Sequence, residues 1–224
     1  MVRHGRASRK GARPETVLAA GAVLGQALPM AAGDTTYLHQ IITESVHALE
    51  SIRTLEGAIL DATSLLASCL KYGHKVMACG NGGSAADASH FTTELLCRFE
   101  GDRRSLPAVS LTADGSFLTA AGNDYGFDRV FSRQVEGLGC PGDVLVVFST
   151  SGNSANVIEA LKAAKARKVK TIAVLGRDGG DAQGIADVEL IIPDPSTARI
   201  QEAQQLVIHL LCGLVERRLF RPKR

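Results

Sequence analysis

The chain has 224 residues, 45% hydrophobic and 21% charged, enough for one substantial core and too few for two. Lys and Arg number 25 against 23 Asp and Glu, a balance that excludes the strong basic field expected of a nucleic-acid binder. No apolar run reaches the ~18 residues of a membrane span, so neither nucleic acid nor a bilayer is an expected partner.

Excess positive charge is confined to the ends, "MVRHGRASRKGAR" and "ERRLFRPKR", which read as solvated tails. Residues 1–34 stand apart from the rest. Their "TVLAAGAVLGQALPMAAGD" imitates a secretory signal; the alternatives are an extension outside the fold and a translation start at Met30, since amphipathic patterning begins only after it. Five cysteines, Cys69, Cys79, Cys97, Cys140 and Cys212, are odd in number, form no CxxC pair and lie mostly in apolar segments. They are expected as small buried hydrophobes in a reducing, cytoplasmic setting, which favours the extension or the later start.

From Tyr37 to about Tyr72 the spacing predicts a long helical segment, with Leu38, Ile41, Ile52, Leu55, Ile59, Leu66 and Cys69 recurring at three- and four-residue steps. Such a segment packs on its own core or on a neighbouring subunit. Short β-rich runs follow, "KVMACG", "PAVSLT", "DVLVVFST", "KTIAVLG" and "VELIIP". They alternate with helical stretches at 84–99, 127–138, 154–167 and 198–219. This alternation predicts a parallel sheet covered on both faces, in the order 2-1-3-4-5, with a ligand crevice where the first and third strands end side by side.

Both of those strands run into small-residue loops, "GNGGSA" and "STSGNSAN". The first formally fits a dinucleotide fingerprint through Gly80, Gly82 and Ala85. However, the next strand ends in Thr112 rather than an acid, with Asp114 two residues further on, and no Gly-Lys-Ser/Thr ending is present. A nucleotide cofactor is therefore not expected. Ser149, Thr150, Ser151 and Ser154 surround Gly152 at the start of a helix, with no Lys or Arg among them. Four hydroxyls and free backbone N–H groups suit a phosphomonoester; the plain alternative is an ordinary N-cap.

On the first of these helices Asp87, His90 and Glu94 share a face. The pair reads either as a solvated His-Glu contact or as two ligands of a metal site that needs others from elsewhere. In the last helix His209 is flanked by Val207, Ile208, Leu210 and Leu211, the setting of a satisfied core histidine, and Gln201 lies about two turns before it.

Four stretches, "GNGGSAADASHFTTEL", "AAGNDYGFDRVFSRQVEGLG", "GDVLVVFSTSGNSANVIEAL" and "ARIQEAQQLVIH", together resemble the phosphoheptose isomerases of the sugar isomerase (SIS) superfamily over about Tyr37 to Phe220. The resemblance implies an α/β, three-layer, flavodoxin-like SIS domain over residues 35–224. It further implies a homotetramer with active sites at subunit contacts. The implied reaction converts sedoheptulose 7-phosphate to D-glycero-D-manno-heptose 7-phosphate. It implies that Gly82, Gly83, Ser84, Ser149, Thr150, Ser151 and Ser154 hold the phosphate and sugar end. Asn81, Asp124 and Gln201 are implied to contact the sugar, Glu94 to act as base and His209 as acid. Some relatives bind zinc through residues matching His90, Glu94, Gln201 and His209, which implies one zinc per subunit. The chain departs from the pattern at Gln204, where many relatives have histidine, and at Ala198, where some have aspartate. Two alternatives stay open: a non-catalytic SIS regulator that binds a sugar phosphate or a protein such as a replication initiator, and an isomerase of another phosphosugar, such as a pentose 5-phosphate.

Overall fold

The computed structural model describes Ala31 and residues 33–220. Met30, the signal-like stretch before it and the last four residues of the basic C-terminal tail lie outside the described residues.

Helix α1 (Asp34–Ser51) passes through a 3-10 turn (Ile52–Leu55) into α2 (Glu56–Lys71). The expected single helix is thus broken once. At the break Ser51 Oγ donates to Ala48 O and Thr54 Oγ1 to Ser51 O, each at 2.7 Å, hydroxyls competing with the helical ladder for its carbonyls. Ile52, Ile59, Leu66 and Cys69 are buried as the spacing predicts, but Leu38 is 53% exposed beside Tyr37, Ile42 and Val46. The first half of α1 therefore presents an apolar stripe outward.

Next come β1 (Val76–Cys79), α3 (Gly83–Leu96), β2 (Ala108–Ser110), α4 (Gly115–Tyr125), a 3-10 turn (Phe127–Arg129) and α5 (Ser132–Leu138). β3 (Val144–Ser149), α6 (Ala155–Ala166), β4 (Lys170–Gly176), β5 (Val188–Ile192) and α7 (Thr197–Phe220) complete the chain. Sequence patterning missed α4 and ran α5 together with the turn before it. Helix α4 buries only Ala121 and so carries almost no periodic signal; its start is set by Asp114, whose carboxylate accepts the Phe117 N–H at 3.0 Å. Gly126, at φ 86°, ends it.

All five strands are parallel in the order β2-β1-β3-β4-β5, as the alternation predicts. Successive strand residues point to opposite faces. Val76, Ala78, Val144, Val146, Phe148, Ile172 and Val174 meet α1, α2, α3 and α7 on one face, while Met77, Cys79, Leu145, Val147, Ala173 and Leu175 meet α4, α5 and α6 on the other. Helices on both faces make three layers. Cys69, Cys79 and Cys212 sit in these cores, whereas Cys97 and Cys140 are exposed, against expectation; all five are free thiols. Cys97 follows the last turn of α3 and Cys140 a loop, where no second layer covers them.

Candidate active site

β1 pairs directly with β3, Cys79 opposite Val147, so the two small-residue loops open side by side. The second loop is pressed against the segment after β4. Gly152 has φ +66°, and a Cβ there would lie 1.9 Å from Gly179 O, so only glycine fits. Ala182 N–H donates to Gly152 O at 2.9 Å and Asp181 N–H to Asn153 Oδ1 at 2.8 Å, strapping the loop from behind. Asn81 and Asn156 exchange reciprocal amide bonds of 2.8 and 2.9 Å, locking the first loop to the start of α6. Asn81 is therefore a strut between the two loops, with only part of its amide left for a ligand.

The hydroxyls divide by role. Ser149 Oγ accepts the Gly152 N–H at 3.1 Å and Ser151 Oγ accepts the Asn153 N–H at 3.2 Å, which shapes the loop and leaves both O–H groups as donors. Ser154 occupies the N-cap position of α6 yet makes no side-chain cap bond, so the ordinary-cap reading does not hold. Ser84 is buried and its hydroxyl donates to Gln204 Oε1 at 3.4 Å. What Ser84 and Gly83 bring to the crevice is first-turn backbone N–H, which has no intrahelical partner. Gln204 in turn donates to Val174 O at 3.1 Å, tying α7 to the sheet. The arrangement is a neutral cradle of hydroxyls and helix N-termini suited to a phosphate.

Helices α3 and α7 run side by side in parallel. Gly83 faces Gln201, so closely that a Cβ would lie 2.2 Å from Gln201 Nε2. Further along, Asp87 meets Gln205 and His90 meets both Gln205 and His209. His90 Nε2 and Glu94 Oε1 are 3.0 Å apart with side chains 35% and 20% exposed, and the His90 and His209 rings meet edge to face at 5.2 Å between centroids. Phe99 stacks on the other side of His209 at 5.4 Å. His209 is exposed, which corrects the reading of a satisfied core histidine: its neighbours Val207, Ile208 and Leu211 turn inward while it turns out.

A clamp fixes the far end of this seam. The Glu216 carboxylate accepts the N–H groups of Phe99, Glu100 and Gly101 and Arg103 Nε at 2.7 Å, and Arg103 donates to the carbonyls of Glu94 and Leu95. Burial opposes ionisation of Glu216, but the backbone N–H groups and Arg103 outweigh it and hold its carboxyl below the usual range. Asp87, buried and with Oδ2 lacking a partner among the described residues, has its pKa raised by burial, against the Gln205 bond and the nearby His90.

Glu94, His90 and His209 thus come together, and Gln201 does not join them: it lies about 12 Å along α7 from His209, beside Gly83. Among the described residues no three His, Cys, Asp or Glu side chains are arranged to hold a metal ion. Asp124 lies exposed in the last turn of α4, accepting from Asn123 at 2.8 Å. Sequence reasoning missed Asn156, Arg103, Gln205 and Glu216 as site-building residues. Asn156, two residues into the helix after a glycine-serine loop, carried the only local hint.

Among known proteins, the family model described as SIS domain matches residues 37–176; α7, which carries Gln201 and His209, lies beyond that match. The phosphoheptose isomerase of Geobacter sulfurreducens is 55% identical over 175 residues, 78% of this chain and 92% of that one. That of Shewanella loihica is 47% identical over 188 residues, 83% and 93% of the two chains. The solved phosphoheptose isomerase of Neisseria gonorrhoeae has a TM-score of 0.77 at 49% identity, covering 81% of this chain and 98% of that one. Its counterpart from Francisella tularensis has a TM-score of 0.79 at 40% identity, covering 82% and 98%.

Proposed function

The chain belongs to the phosphoheptose isomerase family of SIS-domain proteins, and from that premise we propose that it converts sedoheptulose 7-phosphate to D-glycero-D-manno-heptose 7-phosphate. The observation that carries this reading is the meeting of Glu94, His90 and His209 on two parallel helices, the first of which starts at the hydroxyl and N–H cradle.

Glu94 takes a proton from C1 of the ketose. The C1–H electron pair becomes the C1–C2 double bond, and the C2 carbonyl oxygen takes a proton from His209, giving the enediol. Glu94, its carboxyl proton exchanging with water while the enediol is held, gives a proton to C2 as the O1 hydroxyl proton passes to His209, leaving an aldehyde at C1. Ser149, Thr150, Ser151, Ser154 and the N–H groups of Gly82, Gly83 and Ser84 hold the phosphate; Asn81, Asp124 and Gln201 contact the sugar. His90 and Glu94 are donor types that zinc accepts, and a zinc held there would act as a Lewis acid on a sugar oxygen.

The site belongs to a homotetramer. About 15 Å of helix separates Ser84 at the cradle from Glu94, which supports a site whose two ends come from different copies. The stripe of Tyr37, Leu38, Ile42 and Val46 continues into a groove of about 580 Å³ lined by Leu49, Leu60, Leu206, Leu210 and Leu214, an apolar face fitted to a second copy. Among the described residues no helix is long and apolar enough to cross a membrane, and with five free thiols this supports a cytoplasmic location.

The test is to incubate the purified protein with sedoheptulose 7-phosphate and follow the aldose by NMR, with a pentose 5-phosphate alongside and sedimentation to measure mass. Heptose turnover by a tetramer is the expected result. Turnover of the pentose alone would shift the substrate class, and binding without turnover of either would favour the regulator.

A further inference from the structure

His209 is exposed and makes no hydrogen bond or ion pair among the described residues. Its ring meets two other rings instead: His90 edge-on, with centroids 5.2 Å apart and planes at 78°, and Phe99 stacked, at 5.4 Å and 28°. We infer that Phe99 is a positioning residue for the isomerisation, its ring setting the orientation of the His209 imidazole while the Glu216 clamp holds Phe99 in place.

An exposed histidine turns about two side-chain torsions, and a working histidine is commonly aimed by a hydrogen bond to its second ring nitrogen. No such partner faces His209 among the described residues, so a stacking surface has to set the plane of the ring. Stacking covers a face and leaves the edge, where both nitrogens lie, open to a sugar oxygen. Phe99 can serve because it is itself anchored. Its N–H donates to Glu216 Oε1 at 3.0 Å, the N–H groups of Glu100 and Gly101 reach Oε2 at 3.3 and 3.2 Å, and Arg103 Nε donates to Oε1 at 2.7 Å. Glu216 is 9% exposed, so water competes little for its carboxylate. It stands on α7 about two turns beyond His209, so the anchor belongs to the same helix as the histidine. Gly213, one turn beyond His209, completes the seat. A Cβ there would lie 3.4 Å from Phe99 Cε1 and, beyond its own helix, meet nothing else within 4 Å; the absent side chain leaves room for the phenyl ring against α7. This inference rests on the proposed isomerase reading for what His209 does, and on geometry alone for how it is held.

The experiment measures kcat and KM for sedoheptulose 7-phosphate on the full-length protein, and reads 13C-histidine ring signals by NMR at one fixed pH, with His209→Asn to assign them. Phe99→Leu keeps an apolar side chain and removes the flat ring. It is expected to lower kcat about ten- to hundredfold while KM stays within about threefold, the pattern of a misaimed group rather than a lost binding contact. The His209 ring signals are expected to move as the neighbouring ring current is lost. Phe99→Tyr keeps the flat ring and is expected to retain both kcat and the signals. Gly213→Val crowds the phenyl ring from α7 with a better helix former than glycine, and is expected to lower kcat and move the signals with the loop sequence intact.

The double variant separates positioning from packing. With His209→Asn already present no imidazole is left to aim, and adding Phe99→Leu is expected to change the residual kcat by less than about twofold. An equal factor in both backgrounds would overturn the inference, as would His209 ring signals unmoved by Phe99→Leu. A wild type that turns over no sugar phosphate, with His209 signals that do move in Phe99→Leu, would overturn the isomerase reading and leave the stacked seat standing.

Discussion

Each loop that lines the crevice between β1 and β3 is made of neighbours in sequence, whereas the α3–α7 seam joins side chains 113 to 120 positions apart. In the crevice the working groups are backbone N–H, small hydroxyls and glycines, and shape comes from close contacts such as Gly152 against Gly179. In the seam they are long polar side chains whose geometry depends on bonds between helices. A phosphate needs many equivalent donors at a fixed surface; a proton transfer needs one carboxylate aimed along one line. The first can be built locally, and the second requires two elements held in register.

The sharpest way to break this comparison is to remove the base and leave the cradle. Glu94→Gln is expected to lower kcat by about a hundred- to ten-thousand-fold with substrate affinity, measured by calorimetry, nearly unchanged. Equal losses in binding and turnover would mean that the two regions do not divide the work. Gly152→Ala attacks the cradle instead. Strain at its positive φ alone is expected to cost about 1–3 kcal/mol, read as a lower midpoint in urea, with KM raised because the loop must move away from Gly179.

Glu216→Gln tests the clamp and has a signed pH dependence. The Glu216 carboxyl is held below its ordinary value of 4.5, so the stability it contributes is fully present above that value and is lost as pH falls through the lower folded one. The variant should therefore be less stable than wild type at neutral pH and converge with it in acid, as thermal melts across pH 2 to 7 on the order of one unit apart will report. A constant difference across that range would show the clamp to be packing rather than charge. The smallest effect is expected at Ser154→Ala. An N-cap hydroxyl in use is worth ~1 kcal/mol, but Ser154 makes no cap bond, so melting should be unchanged while KM for the sugar phosphate rises a few-fold.

Sequence periodicity located the strands, their order and the loops that matter, because a buried parallel strand followed by a glycine-serine loop is a local signal. Helix α4 escaped it because its one buried residue leaves no period to read. The break after α1 escaped because no glycine or proline marks it in the sequence; two hydroxyls bond backwards there. His209 was misjudged from its flanking aliphatics; at 100° per residue, immediate neighbours on a helix face other directions, and the residues that define its setting are His90 and Phe99. Gln205 and Glu216 were invisible for the same reason: each acquires a role only when α3 lies beside α7.

The central claim, proton transfer through an enediol with Glu94 as base, is tested most directly by running the reaction in deuterium oxide and reading the product by NMR. The account predicts heptose 7-phosphate carrying solvent deuterium at C2, formed by the wild type and lost in Glu94→Gln. Product and recovered ketose that stay free of solvent deuterium through many turnovers, or deuterium incorporation undiminished in Glu94→Gln, would contradict it.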